Sequence, residues 1–472
     1  MSRADLGRAF LASRLAREAP GVAPDPLAFL DARADAQASV VTVCPLAELP
    51  RWRLDAHRLA HDTGRFFTIE GLAVETTFGA VPRWEQPIIR QPEIGILGFL
   101  AQRAPEGGPL RLLCQAKMEP GNRGVVQLAP TVQATPSNYL RVHGGLATPY
   151  LEHFLPATRA RVLVDLLLSE QGSRYLHKRN RNLVVELPPE VPVPVAPDFA
   201  WLTLGQVGDL LAVGGRVNMN ARTVLACAHV AADDAARAAL LAAPPGGDPF
   251  RAAVLASRLH APADPDGELR AALSWLADEK ARHRLDARPV PLSALPAWRV
   301  DDGGALCHES GRFFRVIGVT VADARREVGA WGQPMIQPAH DGVVAFLCQR
   351  RRGVLEVLVQ ARVEPGLLDA VELAPTLQLA PGDYAGGAPL PPLAEHLAAP
   401  PERVRLRAPQ SEDGGRFYHD DKEHLVVELP EDEPLAAPPG FRWMTLALLE
   451  RLVACGGYLV GVEARSLLAC LA

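Results

Sequence analysis

Apolar residues along this chain follow two spacings, which together predict a mixed α+β protein. Short alternating or continuous apolar runs between Gly/Pro turns predict strands, among them FFTIEGLAVET, IGILGFLAQ, LRLLCQAKM and NLVVEL. The segment WLTLGQVGDLLAVGG follows a Pro-Asp pair and has apolar residues at helical spacing, with Gly214 and Gly215 as its stop signal. We therefore expect strand-rich units in which a helix packs against a sheet.

The pattern occurs twice in the sequence, as an internal duplication with a period of about 245 residues. LLCQAKMEPGNRGVVQLAPTVQ (112–133) matches VLVQARVEPGLLDAVELAPTLQ (357–378) at 12 of 22 positions without a gap. SEQGSRYLHKRNRNLVVEL (169–187) matches SEDGGRFYHDDKEHLVVEL (411–429) at 10 of 19. Because solenoid repeats are only about 20–50 residues long, we expect each copy to have its own core.

The duplication predicts four regions. Residues 1–39 contain a docking helix, on which Leu6, Phe10 and Leu15 share one side. Residues 40–230 form the first copy and residues 287–472 the second. Residues 231–286 connect them, and their turns PPGGDP and PADPDG predict two or three helices.

Composition narrows the functional classes. The 472 residues include 49 Lys+Arg and 54 Asp+Glu without a basic block, which disfavours nucleic acid as the main partner. No apolar run reaches the ~18 residues of a membrane span, and the seven scattered cysteines disfavour disulfides and zinc pairs, so we expect a cytoplasmic protein. GxGxxG, Walker A, HExxH, GxSxG and CxxC motifs are absent from the sequence. We expect neither a metal nor a cofactor.

The copies differ most in charge. Residues His177 to Asn182 of the first copy carry three cations, whereas the matching residues His419 to His424 are mostly acidic. Either the cations form a solvated basic face, or they clamp a diphosphate, whose oxygens suit guanidinium and ammonium groups. The candidate binding residues are Arg141, Lys178, Arg179 and Arg181, with the interleaved amides Asn180 and Asn182.

Acid–base candidates also lie in the first copy. They are Lys117, Glu119, Tyr139, His143, Glu170 and His177. His143 stands before two glycines, where the backbone can approach a ligand closely, and a histidine titrates near neutral pH. A structural role stays open for His143, and also for Glu119 and Glu170, which recur as Glu364 and Glu412.

Several longer strings resemble one enzyme family. WEQPII, ILGFLAQR, CQAKMEPGN, VQLAPTVQAT, SNYLRVHGG, YLEHF and VLVDLLLSEQGSRYLHKRNRNLVVEL, in this order and duplicated, resemble the NDP-hexose 2,3-dehydratases of bacterial deoxysugar biosynthesis. The resemblance implies tandem duplicated Nudix-like modules, a homodimer and the substrate dTDP-4-keto-6-deoxyglucose. The acidic Nudix box is not visible in the sequence, which favours binding of a nucleoside diphosphate without its hydrolysis.

The resemblance also implies a reaction and residue roles. Water leaves across carbons 2 and 3, giving a 3,4-diketo-2,6-dideoxy sugar that a ketoreductase would then reduce. Arg141 with Lys178, Arg179 and Arg181 would anchor the diphosphate, and His143 or Glu170 would move protons. Lys117, Asn138 or Tyr139 would polarise the ketone. Gln133 and Trp84 are further binding candidates, although Trp84, which recurs as Trp331, could instead be a core residue.

Some alternatives stay open at this point. The sequence does not separate the acid from the base. The second copy is expected to hold a degenerate or auxiliary pocket, but its SEDGGRFYH string could also complete a site. A nucleotide-sugar binding protein without catalysis, a Nudix hydrolase and a structural protein are the rival functions.

Overall fold

The computed structural model describes residues 2–124, 126–139, 147–156, 160–244, 246–322, 329–385 and 389–471. The helices are α1 (Arg3–Leu15), α2 (Pro26–Asp35), α3 (Pro136–Tyr139), α4 (Leu204–Val213), α5 (Met219–Leu225), α6 (Asp234–Ala242), α7 (Pro249–Arg258), α8 (Pro265–Arg282), α9 (Leu446–Ala454) and α10 (Val462–Cys470). The strands up to residue 202 are β1 (Val40–Cys44), β2 (Trp52–Leu54), β3 (Arg58–His61), β4 (Thr68–Thr76), β5 (Arg83–Arg90), β6 (Gly95–Arg103), β7 (Leu110–Met118), β8 (Val126–Ala129), β9 (Val132–Ala134), β10 (Arg161–Ser169), β11 (Arg179–Leu187) and β12 (Phe199–Leu202). The later strands are β13 (Leu285–Val290), β14 (Trp298–Val300), β15 (Leu306–His308), β16 (Phe314–Ala322), β17 (Ala330–Pro338), β18 (Gly342–Arg351), β19 (Val354–Val363), β20 (Val371–Ala374), β21 (Leu377–Leu379), β22 (Val404–Ser411), β23 (Asp421–Leu429) and β24 (Phe441–Thr445).

Each copy builds one large mixed sheet with the same topology. The first has the order β10-β11-β6-β7-β12, with β9 beside β6 and β8 beside β7. The second repeats this order as β22-β23-β18-β19-β24, with β21 and β20 in the matching places. One neighbouring pair in each path, β11 with β6 and β23 with β18, is parallel. The mixed α+β class predicted from the sequence is confirmed.

Two smaller sheets exchange a strand between the copies. β1 pairs with β16 of the second copy, with Val40 opposite Ala322. β13 pairs with β4 of the first copy, with Leu285 opposite Thr76. Each exchanged strand follows a helix pair, α1 and α2 or α7 and α8, so the exchange is reciprocal. The boundaries at 40 and 287 therefore divide the sequence into copies, but they do not divide the small sheets. Each small sheet combines strands from both sides of a boundary.

The apolar cores are partly separate and partly shared. Leu100 and Phe99 alternate along β6, so their side chains lie on opposite faces of the first large sheet. Leu100 belongs to an apolar cluster of the first copy alone, and Leu347 to its counterpart in the second. Phe99 and Phe346 belong to one cluster that includes α4, α5, α9 and α10. The expectation of one core per copy is therefore incomplete, because the helices bury both sheets against each other.

The predicted helix after the Pro-Asp pair begins later than its sequence pattern suggested. Phe199–Leu202 form β12 and pair with β7. Thr203 then caps α4 through a capping box with Gln206, which satisfies free backbone donors at the helix start. The helix ends before Gly214, whose φ of 81° suits a residue without a side chain.

The helix pair that precedes the strands of each copy is also duplicated. Leu11-Ala12-Ser13-Arg14-Leu15 recurs as Leu255-Ala256-Ser257-Arg258-Leu259. In both copies the serine Oγ donates to a strand carbonyl at 2.6 Å, Ser13 to Leu110 and Ser257 to Leu355. The connector thus contains α7 and α8, which repeat the N-terminal pair α1 and α2, preceded by α6.

Candidate active site

A cavity of about 750 Å³ lies between the two copies. The first copy contributes polar side chains from β7, β9 and β11 and from the turn residues beside them. The second contributes residues of β17 and of the turn between β22 and β23. These polar lining residues include Lys117, Glu119, Gln133, Lys178 and Asn180 from the first copy, and Gln333, Asp413 and Arg416 from the second. This volume is typical of sites for small molecules, which span roughly 300–1,000 Å³.

Glu119 is the carboxyl group most firmly held in this cavity. It is only 2% exposed and accepts a hydrogen bond from Gln133 Nε2 at 2.6 Å. Asn122 and Asn218 donate to its other oxygen at 3.2 and 3.3 Å. Burial and the nearby Asp413 carboxylate raise the pKa of Glu119, so this group keeps a proton at higher pH than an ordinary glutamate. Glu119 is thus a buried, hydrogen-bonded carboxyl group at the wall of the cavity.

Lys178 and Asn180 form the adjoining wall. Burial lowers the pKa of Lys178 to about 8, while its ammonium donates to the carbonyl oxygen of Glu93. Asn180 donates to Glu170 at 2.6 Å and accepts from the N–H of Gly95 at 3.0 Å. Glu170 lies behind Asn180 and is not among the lining residues, although burial raises its pKa to about 7. Lys178 and Asn180 therefore face the cavity, and Glu170 supports them from behind.

The alternation of side chains along β11 places the predicted diphosphate-binding cations on different faces of the sheet. Successive side chains of a strand point to opposite faces, so Arg179 and Arg181 point away from the face of Asn180. Arg179 donates to Tyr458 Oη at 2.6 Å, and Arg181 forms an ion pair with Asp165. Neither arginine lines the cavity.

Two more predicted residues lie outside the cavity for different reasons. Asn182 shares the face of Asn180, but it is completely buried one step further along the strand. Trp84 packs against the apolar cluster of the first small sheet and donates to Gln86 at 2.9 Å. Its counterpart Trp331, on β17 of the second copy, lines the cavity instead.

Four predicted residues cannot be placed. Arg141 and His143 lie outside the described residues. Asn138 and Tyr139 belong to α3, but their side chains lie outside the described part of the chain. Their proposed roles stay predictions.

The second copy supplies residues that the sequence did not select. Asp413 accepts a hydrogen bond from Tyr175 Oη at 2.7 Å, and both its carboxylate and Arg416 line the cavity. The Arg416 guanidinium lies 4.2 Å from the centre of the Phe67 ring, and its Nε finds no hydrogen-bond partner among the described residues. Both residues belong to the SEDGGRFYH string, which the sequence left as a possible completion of the site.

The mirrored position in the second copy holds a different set of charges. Lys422, which matches Asn180, lies 3.2 Å from Glu412 and 3.3 Å from Glu463. These carboxylates match Glu170 and Asn220 of the first copy. An internal ion cluster thus replaces the amides, which supports an auxiliary or degenerate pocket there.

The described residues contain neither a candidate metal site nor a candidate membrane-spanning helix. No cluster of three or more His, Cys, Asp or Glu side chains in that part of the chain has the arrangement of a metal site. Among the same residues, no helix combines the length and apolarity needed to cross a membrane.

The fold and the cavity define a duplicated α+β protein whose two copies jointly line a pocket that contains carboxyl and lysine side chains. The family model for NDP-hexose 2,3-dehydratase matches residues 25–228 and 269–471, so the chain belongs to this family. A relative from Saccharopolyspora spinosa is 47% identical over 90% of this chain and 86% of its own length. Relatives from Streptomyces violaceoruber and Amycolatopsis orientalis are 46% and 42% identical over 91% and 95% of this chain, and over 92% and 89% of their own lengths. All three are named dTDP-4-dehydro-6-deoxy-alpha-D-glucopyranose 2,3-dehydratase.

Proposed function

We propose that this protein is a dTDP-4-keto-6-deoxyglucose 2,3-dehydratase, a carbon–oxygen lyase. Its relatives align with most of the chain and are named for this activity. Their names call the sugar 4-dehydro, which means the same as 4-keto. The observation that carries the proposal for the site is Glu119, a buried carboxyl of raised pKa that lines a cavity together with Lys117 and Lys178. An elimination needs such a proton carrier beside cations that stabilise an enolate.

The chemistry follows from the substrate. The 4-keto group acidifies the proton on carbon 3, so its removal gives an enolate without a cofactor. Glu119 would donate a proton to the hydroxyl leaving carbon 2, because burial and the nearby Asp413 carboxylate raise its pKa and so favour the protonated form. Lys178 and Lys117 would stabilise the negative charge on oxygen 4, since a fixed cation in a water-poor site lowers the energy of a developing anion.

Binding of the nucleotide would use both copies. Arg416 offers its guanidinium to the diphosphate, and Trp331 offers a ring for stacking the base. Arg141 and His143 stay candidates for the diphosphate and for proton transfer. Gln133 would act mainly by holding Glu119.

Incubation of the purified protein with dTDP-4-keto-6-deoxyglucose in deuterated water tests this function. We expect mass spectrometry to show loss of one water and deuterium on carbon 2, or free dTDP with breakdown products of the diketo sugar. Glu119→Gln, which keeps the size and shape of the side chain but removes the acidic proton, is the matched inactive control. Intact substrate with measurable dTDP binding would favour the binding-protein alternative.

We infer a Nudix-like origin for the copies from their matching mixed sheets with packed helices. A homodimer, a cytoplasmic location and coupling to a downstream ketoreductase follow from the family resemblance. Sedimentation of the purified chain and a coupled reductase assay test the first and last of these three.

A further inference from the structure

Tyr175 connects the first copy to a carboxylate of the second. The ring is 2% exposed, and its hydroxyl donates to Asp413 Oδ2 at 2.7 Å. Burial and the neighbouring Asp413 carboxylate hold the pKa of Tyr175 well above its ordinary value, so the phenol stays a donor. Asp413 Oδ1 accepts from the N–H of Gly415 at 3.1 Å. Each of these bonds occupies one lone pair, and a carboxylate oxygen has two.

Asp413 and Glu119 face the same small space. A Cβ placed on Gly415 would lie 3.1 Å from Asp413 Oδ1 and 4.0 Å from Glu119 Oε1. Both carboxyl groups line the cavity, and one comes from each copy. A pair of carboxyl groups around one bound molecule can divide the work of acid and base.

The mirrored positions show that this pair is not a requirement of the duplicated fold. Gln171 stands in the first copy where the second has Asp413, and Phe417 stands in the second where the first has Tyr175. The backbone is equivalent at both places, since Tyr175 pairs with Ile89 and Phe417 with Ile336 in matching bridges. Gln171 donates to Glu412 instead of accepting from a phenol. The hydroxyl and the carboxylate are therefore both absent on the mirrored side.

We propose that Asp413 is the base that removes the proton from carbon 3, and that Tyr175 is a positioning residue that orients its carboxylate. The proposal rests on the 2,3-dehydratase function and assigns the base that the sequence left open. It also means that the reaction needs both copies, because the acid Glu119 belongs to the first copy and the base Asp413 to the second.

The proposed step balances in protons and electrons. Asp413 takes the proton from carbon 3, and the C–H electron pair forms the C3=C4 enolate with its charge on oxygen 4. The enolate then re-forms the ketone, the C2=C3 bond forms, and the C2–O bond breaks. Glu119 gives its proton to the departing hydroxide, which leaves as water. The resulting enol loses its oxygen-bound proton and gains one at carbon 2, while Asp413 and Glu119 return to their starting states through solvent.

The test compares Asp413→Asn, Tyr175→Phe and the double variant, using dTDP-4-keto-6-deoxyglucose with and without deuterium at carbon 3. We expect Asp413→Asn to lower kcat by about 10²- to 10⁴-fold, as for loss of a general base, with KM within about threefold. Tyr175→Phe should lower kcat about tenfold and increase the isotope effect on kcat. In the Asp413→Asn background it should have no further effect, because Tyr175 would act only through Asp413.

Tyr150→Phe is the matched control, since Tyr150 Oη also donates at 2.7 Å, to the carbonyl of Pro194 outside the cavity. It should leave kcat unchanged. Asp413→Asn with more than a tenth of the wild-type kcat, or multiplicative losses in the double variant, would overturn the proposal. If Asp413→Asn does not fold, a Tyr175→Phe variant with unchanged kcat and isotope effect overturns it instead. A wild-type protein that eliminates no water refutes the dehydratase function itself, which is a separate outcome.

Discussion

Arg222 and Arg465 lie at matching positions of the two copies, and each donates to a hydroxyl on the helix of the other. Arg222 Nε is 2.7 Å from Ser466 Oγ, and Arg465 Nε is 2.8 Å from Thr223 Oγ1. Both guanidinium groups are fully buried, and each also donates to the carbonyl of a strand end across the interface, Arg222 to Ser411 and Arg465 to Ser169. These reciprocal bonds join α5 and α10 to both large sheets.

Replacing Arg222 by alanine should destabilise the whole protein. The change leaves the buried carbonyls of Val217 and Ser411 without this donor and opens a cavity. We expect a loss of about 3–5 kcal/mol in the free energy of unfolding, as for other broken buried charged networks. Thermal or urea unfolding measures it. A loss below about 1 kcal/mol would show that the helix contact does not depend on these bonds.

Glu119→Gln should remove activity without unfolding the site. Glutamine has the same shape but no acidic proton, so we expect kcat to fall about 10²- to 10⁴-fold with a small change in KM. In the wild type, a proton donor is active only below its own pKa. Since burial and Asp413 raise the pKa of Glu119, the decline of kcat/KM with rising pH should be centred above the ordinary glutamate pKa of 4.5. A decline centred at that ordinary value would contradict the assignment.

Lys178 and Arg181 should differ sharply when each is replaced by alanine. Lys178 lines the cavity, whereas Arg181 lies on the other face of β11 in a partly exposed ion pair with Asp165. We expect Lys178→Ala to lower kcat/KM at least tenfold and Arg181→Ala to change it less than twofold, because exposed ion pairs contribute little. Steady-state kinetics on both variants decides this. Equal losses of kcat/KM in the two variants would instead support the cation clamp that the sequence predicts.

Much of the fold follows from local pattern. The duplication, the four quoted strands and the stop of α4 at Gly214 are visible in the sequence because they depend on residues close together in the chain. The exchange of β1 and β13 is not visible in the sequence. The apolar pattern of each strand would allow it to pair with either small sheet. The repeated LASRL string, however, was a readable signal that the connector contains the N-terminal pair of the second copy.

The candidate site was less accessible to sequence reasoning. Lys117, Glu119, Gln133, Lys178 and Asn180 were selected and all line the cavity. Arg179 and Arg181 were grouped with them by charge, although the period-two alternation of a strand already separates them from Asn180. Asp413 and Arg416 lie more than 230 residues away in sequence from Lys178, and only the packing of the copies brings them to it.

Glu372 Oε2 accepts a hydrogen bond from Ser169 at 2.6 Å, while its Oε1 has no partner among the described residues. Gln127 is its counterpart in the first copy and accepts the matching bond from Ser411 at 2.7 Å. Glutamine is thus already tolerated at this position of the repeat. Burial raises the pKa of Glu372 from 4.5 to about 7.

The folded protein holds the proton of Glu372 more tightly than the unfolded chain does, so its stabilising effect is complete below pH 4.5 and is lost as the pH rises through 7. Raising the pKa from 4.5 to about 7 corresponds to roughly 3 kcal/mol. Glu372→Gln should therefore increase the melting temperature at pH 8 more than at pH 5 and flatten its dependence on pH. The exposed Glu433→Gln is the control and should change neither, whereas equal shifts at both pH values would show that Glu372 is not titrating between them.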